Sequence, residues 1–171
     1  PVTLTVRETR HGPVISPVYS SLAAGTATGH VMALAATALI PNDRTVEAFH
    51  RLGQAQSWPA FRAALRFLSA PYLTVTYGDK AGNIGFVMPG RVPMRRNGTG
   101  VLPVAGWTGS NDWTGFIPFR ELPQAFNPPS GRVVAANQRP TGPDYRHFLG
   151  RDWPPDYRAR RIHTLLDDGS R

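Results

Sequence analysis

The side chains able to do acid–base, nucleophilic or metal chemistry are few in this chain, and their spacing excludes most standard sites. The five histidines (His11, His30, His50, His147 and His163) show no metal-ligand spacing. There is no cysteine, which removes both a disulfide framework and a thiolate zinc site. No Gly-x-Ser-x-Gly elbow or Walker-type phosphate loop occurs, and Gly98-Thr99-Gly100 does not continue into a dinucleotide fingerprint. The carboxylates are scattered, with Asp167-Asp168 reading as a helix end, so no glycosidase-type pair is defined.

An ordered set of motifs remains. Tyr77-Gly78-Asp79-Lys80-Ala81-Gly82-Asn83-Ile84-Gly85-Phe86 reads as a strand, a tight polar turn and a second strand. Gly and Asn supply the positive φ angles that hairpin turns need. Pro89-Gly90-Arg91-Val92-Pro93-Met94-Arg95 follows, then Gly106-Trp107, Trp113-Thr114-Gly115, Leu122-Pro123, Asn127-Pro128 and Ala135-Ala136-Asn137. Thr9-Arg10-His11-Gly12-Pro13-Val14-Ile15 stands near the start. In this order and spacing, from about Arg7 to Leu166, the chain resembles the β-chain of the penicillin acylase family of N-terminal-nucleophile hydrolases. Cephalosporin acylases and acyl-homoserine-lactone acylases belong to the same family. Two positions depart from its pattern. Thr74 stands where an Asn usually precedes the hairpin Asp by five residues, and a Trp common after the first motif is missing from residues 33–39.

The resemblance implies hydrolysis of an N-acylated, penicillin-like small molecule through an acyl-enzyme. In that family an N-terminal Ser attacks the amide carbonyl, with its own α-amino group as the base, since such an amine titrates near ~8. The tetrahedral intermediates carry an oxyanion, and losing one donor to it costs roughly 3 kcal/mol. Asn137 matches the family Asn whose side-chain NH₂, a neutral donor, takes that role. The alternative is that Asn137 only caps a turn after a strand. Arg158 aligns with a family Arg near the active site, where a guanidinium orients the Asn or a substrate carboxylate. Its alternative is an exposed helix Arg beside Arg160 and Arg161. His11 fits the motif as a structural residue, Trp107 and Trp113 as packing beneath long loops, and Asp79 as the organiser of its turn. No cofactor is implied. Some family members bind calcium, but Tyr145-Arg146-His147-Phe148 lacks the carboxylate expected of one ligand, so no metal is expected.

The family's nucleophile begins the β-chain, upstream of the Arg-His-Gly motif. Residues 1–171 are therefore expected to be a single partial domain, internal to an acylase β-chain and inactive alone. The expected partners are the α-chain and the N-terminal part of the β-chain of the same acylase. Pro1 offers a secondary amine in principle, but the sequence specifies no neighbours that would make it a base. The family resemblance also implies a periplasmic or extracellular location.

The elements that must position these residues follow from local pattern. Val2, Leu4 and Val6 alternate as in a half-buried strand, Gly12-Pro13 turns the chain, and Val14-Ile15 starts a further strand. Residues 16–29 are turn-rich, and residues 30–39 read as a buried strand. Asn42 reads as the cap of a short helix with Val46, Phe49 and Leu52 on its inner face and Gly53 past its end. Ser57 caps a second helix, with Pro59 in the first turn and Phe61, Ala64, Leu65 and Leu68 facing the core. Pro71 ends it, and the hairpin comes next. Residues 132–136 read as a final buried strand, and residues 156–166 as a closing helix with Ile162, Leu165 and Leu166 inward. The sum is α+β with antiparallel pairing. The resemblance makes it a fragment of a four-layer αββα sandwich.

Composition bounds the partners. The 171 residues suffice for one domain with a core, and 41% hydrophobic content fits a folded chain. The 17 Gly and 17 Pro are densest between Pro89 and Pro143, which predicts a loop-rich middle that needs other structure to lean on. The net charge of +8 is almost all Arg, since Lys80 is the only lysine. Arg91, Arg95 and Arg96, and Arg158, Arg160 and Arg161 near Trp153 and Tyr157, are the nearest things to a polyanion patch. Arg usage of this kind reflects solvated faces, so no nucleic-acid partner is expected. The rival reading is an interaction module that binds an anionic partner through loop and Arg residues. No apolar run approaches a membrane span, so no membrane partner is expected either.

Overall fold

The computed structural model describes residues 2–16 and 18–169; Pro1, considered above for its amine, lies outside them. In chain order the elements are β1 (Glu8–Thr9), β2 (Gly12–Pro13), α1 (Ser20–Ala24), α2 (Thr45–Leu52) and α3 (Trp58–Leu65). Then come β3 (Val75–Gly78), β4 (Ile84–Val87), β5 (Pro93–Arg95), β6 (Trp113–Phe116), β7 (Gln124–Phe126) and α4 (Tyr157–Asp167). The strand pairs are all antiparallel, in sheets ordered β1-β2, β3-β4-β7 and β5-β6, so the α+β expectation holds.

The core is built on α3. Ser57 Oγ accepts the Ala60 backbone N–H at 3.4 Å and Pro59 fills the first turn, which is the predicted start. Phe61, Ala64, Leu65 and Leu68 are all buried, as their spacing predicts. Phe61, Leu65 and Leu68 pack with Ala48 of α2 and Val87 of β4. Each such large side chain stabilises the fold by about 1.5–3 kcal/mol.

Helix α2 forms where expected but starts and faces differently. Asn42 sits in the left-handed region at φ 60, and the cap position is Arg44, whose side chain makes no capping bond. Asp43 Oδ1 accepts from the Thr45 backbone N–H at 3.2 Å and from its hydroxyl at 2.8 Å. Thr45 Oγ1 in turn accepts the buried Ser69 N–H at 3.0 Å. That bond turns the Thr45–Ala48–Leu52 face inward, and the predicted inner residues Val46 and Phe49 point to solvent.

Strand β4 lies between β3 and β7, with Tyr77 opposite Gly85 and Phe86 opposite Ala125. Asp79 organises the β3–β4 turn as predicted. Its carboxylate accepts from the Ala81 and Asn83 backbone N–H groups, the Tyr77 hydroxyl and the Asn83 amide, all within 3.0 Å. Gly82 takes φ 83 to close the turn. The loop-rich middle carries β5–β6 and a second core of Val92, Ile117 and Leu122.

Three predicted strands are absent. Residues 2–7 are exposed and irregular, residues 30–39 make a single bridge from Ala33 to Val14, and residues 132–136 have no ladder. An alternating or apolar run becomes a strand only beside a partner, and the pairing of residues 32–34 with residues 13–15 is too short to extend into one. Part of the passage read as turns folds instead as α1. Helix α4 forms as predicted, but Ile162, Leu165 and Leu166 keep 38%, 39% and 47% of their surfaces exposed, and Ala159 is its buried residue. Among the described residues no helix is long and apolar enough to cross a membrane.

Candidate active site

Asn137 and Arg158, 21 positions apart in sequence, meet. An Arg158 guanidinium nitrogen donates to Asn137 Oδ1 and to the Ala136 carbonyl, each at 2.8 Å. Arg158 projects from the first turn of α4, and Ala159 beside it is buried, so the helix presents the guanidinium from a fixed base. Asp167 at the other end of α4 pairs with Arg132, so the helix is tethered at both ends to the segment that carries Asn137. Asn137 itself is exposed and adopts φ 64, a left-handed conformation that Asn tolerates better than most residues.

This geometry fixes the orientation of the Asn137 amide. A guanidinium has donors only, so it must face the amide oxygen and leave the NH₂ outward. Among the described residues Asn137 Nδ2 has no hydrogen-bond partner. The exposed end of the pair is thus a neutral donor, backed by a positive charge on the far side of the same amide. Such a group can bind an anionic or developing-anionic oxygen without any change in protonation.

The loop between the two residues is stapled to the body. Tyr145 donates its hydroxyl to the Glu121 carbonyl at 2.8 Å, and His147 Nε2 lies 2.9 Å from Glu121 Oε2. Arg146 pairs with the same oxygen at 2.5 Å. The His147 bond and then the Arg146 bond hold the Glu121 carboxyl below the usual carboxylate range. Among the described residues no three side chains of metal-binding type come together. Val133, Val134, Ala135 and Gln138 of the Asn137 segment line an open pocket of about 140 Å³. Thr74, the position that departs from the family Asn, lines the same pocket with Phe86.

His11 is structural in the geometry as well as in the sequence. Its Nε2 lies 3.0 Å from the Gly106 carbonyl, and neighbouring Arg10 binds Asp112 at 2.5 Å and the same carbonyl at 2.7 Å. The Arg10 bond pulls the Asp112 carboxyl below its ordinary range. Trp107 does not pack beneath a loop as expected: it is 73% exposed, with the His30 ring 5.1 Å away. Trp113 is half-buried, edge-on to Phe116. Four of the six Arg residues that could have made a polyanion patch have local partners. Arg91 and Arg95 lie over Phe116 and Trp113, Arg160 pairs with Asp156, and Arg158 is spent on Asn137.

The family model described as penicillin amidase matches residues 1–171. The chain belongs to the penicillin amidase family. An acyl-homoserine lactone acylase, QuiP, of Pseudomonas fluorescens strain Pf-5 is 37% identical over 169 residues, which is 99% of this chain and 20% of that protein. The penicillin acylase 2 proenzyme of Pseudomonas sp. strain SE83 is 35% identical over 159 residues, covering 93% of this chain and 20% of its own length. The chain therefore spans about a fifth of the length of the curated relatives it matches. A solved thermostable penicillin G acylase from Alcaligenes faecalis superposes with a TM-score of 0.77 at 26% identity, over 96% of this chain and 28% of that one. The α+β arrangement of this penicillin amidase family member is thus that of an N-terminal-nucleophile hydrolase.

The sequence named both members of the pair. It missed the stapling set of Glu121, Tyr145 and His147, because side chains 24 to 26 residues apart carry no local signal of their meeting.

Proposed function

We propose that this chain is the oxyanion-binding part of an amide-hydrolysing acylase, with Asn137 Nδ2 as the donor and Arg158 as the group that orients it. The observation that carries the reading is the shared Arg158 contact, which leaves the Asn137 NH₂ as the free end. In the reaction a nucleophilic oxygen, supplied from outside these residues, adds to the amide carbonyl carbon of an N-acylated small molecule. The carbonyl oxygen becomes an anion, and a donor already held in place stabilises it more than it stabilises the neutral carbonyl. Collapse expels the amine and leaves an acyl-enzyme. Water then adds to that ester, the same oxygen again becomes an anion, and collapse releases the acid. No step needs a cofactor.

The relatives' names support the substrate class: one is an acyl-homoserine lactone acylase and others are penicillin acylases. We place this protein's substrate in the shared chemistry, a small molecule bearing an N-acyl group. The remaining segments of the acylase, outside these 171 residues, supply the nucleophile and the rest of the acyl pocket, and the working location is periplasmic or extracellular. The test is intact-mass and N-terminal analysis of the full-length polypeptide, with hydrolysis of penicillin G and of an N-acyl-homoserine lactone measured alongside. Two chains, one with a new N-terminal Ser or Thr, and release of the acyl acid are expected. A single unprocessed chain without hydrolysis contradicts the reading.

A further inference from the structure

We infer that Gln138 is a positioning residue for the Asn137–Arg158 pair; this rests on the acylase reading above. The segment that carries Asn137 belongs to no sheet, so no ladder of backbone bonds holds it. Packing holds only part of it: Ala136 is buried, while Val133, Val134 and Ala135 border an open pocket. Beside its tethers to α4, the Gln138 side chain clips the segment to itself. Gln138 Nε2 donates to the Val134 carbonyl at 2.7 Å, and Gln138 Oε1 accepts the Ala136 backbone N–H at 2.7 Å. A carbonyl only accepts and a backbone N–H only donates, so these two bonds permit one orientation of the Gln138 amide.

The consequence falls on the residue next to Asn137. Ala136 is held on both sides: its N–H by Gln138 and its carbonyl by Arg158. The peptide planes before and after Ala136 are therefore both set, and they determine where Asn137 begins its left-handed turn. The guanidinium nitrogen that holds the Ala136 carbonyl also holds Asn137 Oδ1, so its two acceptors must stay in fixed relation. Releasing the Gln138 clip frees the plane before Ala136, separates those two acceptors and lets the donor swing away from the oxyanion. Gln138 touches no reacting atom; its effect reaches the reaction only through Asn137.

A double-mutant cycle in the full-length polypeptide tests this, with penicillin G or an N-acyl-homoserine lactone as probe, whichever the wild type cleaves faster. Gln138→Ala is expected to lower kcat at least tenfold with KM within twofold of wild type. Gln138→Glu should lose a similar amount, because a carboxylate cannot donate to the Val134 carbonyl. In an Asn137→Ala background Gln138→Ala should cost nothing further, since both changes remove one function. Wild-type kcat in Gln138→Ala, or losses that multiply in the double variant, overturns the inference while leaving the acylase reading intact. Full activity in Asn137→Ala overturns that reading and the inference with it. Hydrogen exchange on the unmutated protein gives a measurement that needs no variant to fold: the Ala136 amide should be protected, and exchange as fast as an open loop overturns the clip.

Discussion

The Asn137 amide has two ends with opposite chemistry, and Arg158 decides which one faces outward. Replacing Asn137 by Asp keeps the partner and removes the donor. The carboxylate would pair with Arg158, so the thermal midpoint should hold or rise, while kcat should fall by about 10²–10³, the loss of one oxyanion donor. Retained activity in that variant would show that donation from residue 137 is not needed. Arg158→Lys tests the other half. A lysine keeps the charge but replaces the rigid planar guanidinium, whose one terminal nitrogen holds both Asn137 Oδ1 and the Ala136 carbonyl, with a flexible ammonium on a shorter side chain. We expect a fall in kcat with little change in KM, and unchanged kcat would reduce Arg158 to an ordinary surface arginine. Motif order pointed to both residues and left open whether Arg158 orients Asn137 or a substrate carboxylate; the structure has it on Asn137. The Gln138 clip was illegible: a Gln after an Asn has no pattern that marks it as binding its own backbone.

Elements were legible where capping and periodicity agreed and illegible where a strand needed a partner. Ser57, Pro59 and the Phe61–Ala64–Leu65–Leu68 spacing read α3 correctly because start signal and buried face are both local. The inner face of α2 was misread because one long-range bond, Ser69 N–H to Thr45 Oγ1, overrides its apolar pattern. Two predictions belong at this scale. Gly85 sits at the centre of the three-stranded sheet, where an added Cβ would lie 2.7 Å from the Ala125 carbonyl oxygen and 2.9 Å from the Trp58 ring. Gly85→Ala should therefore destabilise by about 1–3 kcal/mol, read from the urea midpoint, and a neutral result would mean that β7 and α3 yield freely. Glu47 on α2 accepts from Arg44 and Arg51, and these bonds hold its carboxyl at about 2 against an ordinary 4.5. A depressed carboxylate contributes stability above its unfolded pKa and loses it as pH falls toward the folded value. The wild-type thermal midpoint should thus drop between pH 4.5 and 2 more steeply than that of Glu47→Gln, and parallel curves would contradict this.

At the scale of the whole molecule, surface is the informative quantity. The chain exposes 11855 Å², whereas a self-contained globular chain of 18.7 kDa exposes about 8,300 Å². The excess includes Val2, Leu4 and the apolar face of α4, the regions where sequence pattern predicted burial. These apolar runs stay exposed in the described structure; on the acylase reading proposed above, the rest of a polypeptide of which the chain spans about a fifth would cover them. Residues 1–171 expressed alone should bind a hydrophobic dye and release no acyl acid, and dye binding should fall when the rest of the polypeptide is present. The most direct measurement is kcat of Asn137→Ala in the full-length polypeptide, beside its thermal midpoint. We predict a loss of about 10²–10³ at an unchanged midpoint; wild-type kcat in a folded variant would contradict the account.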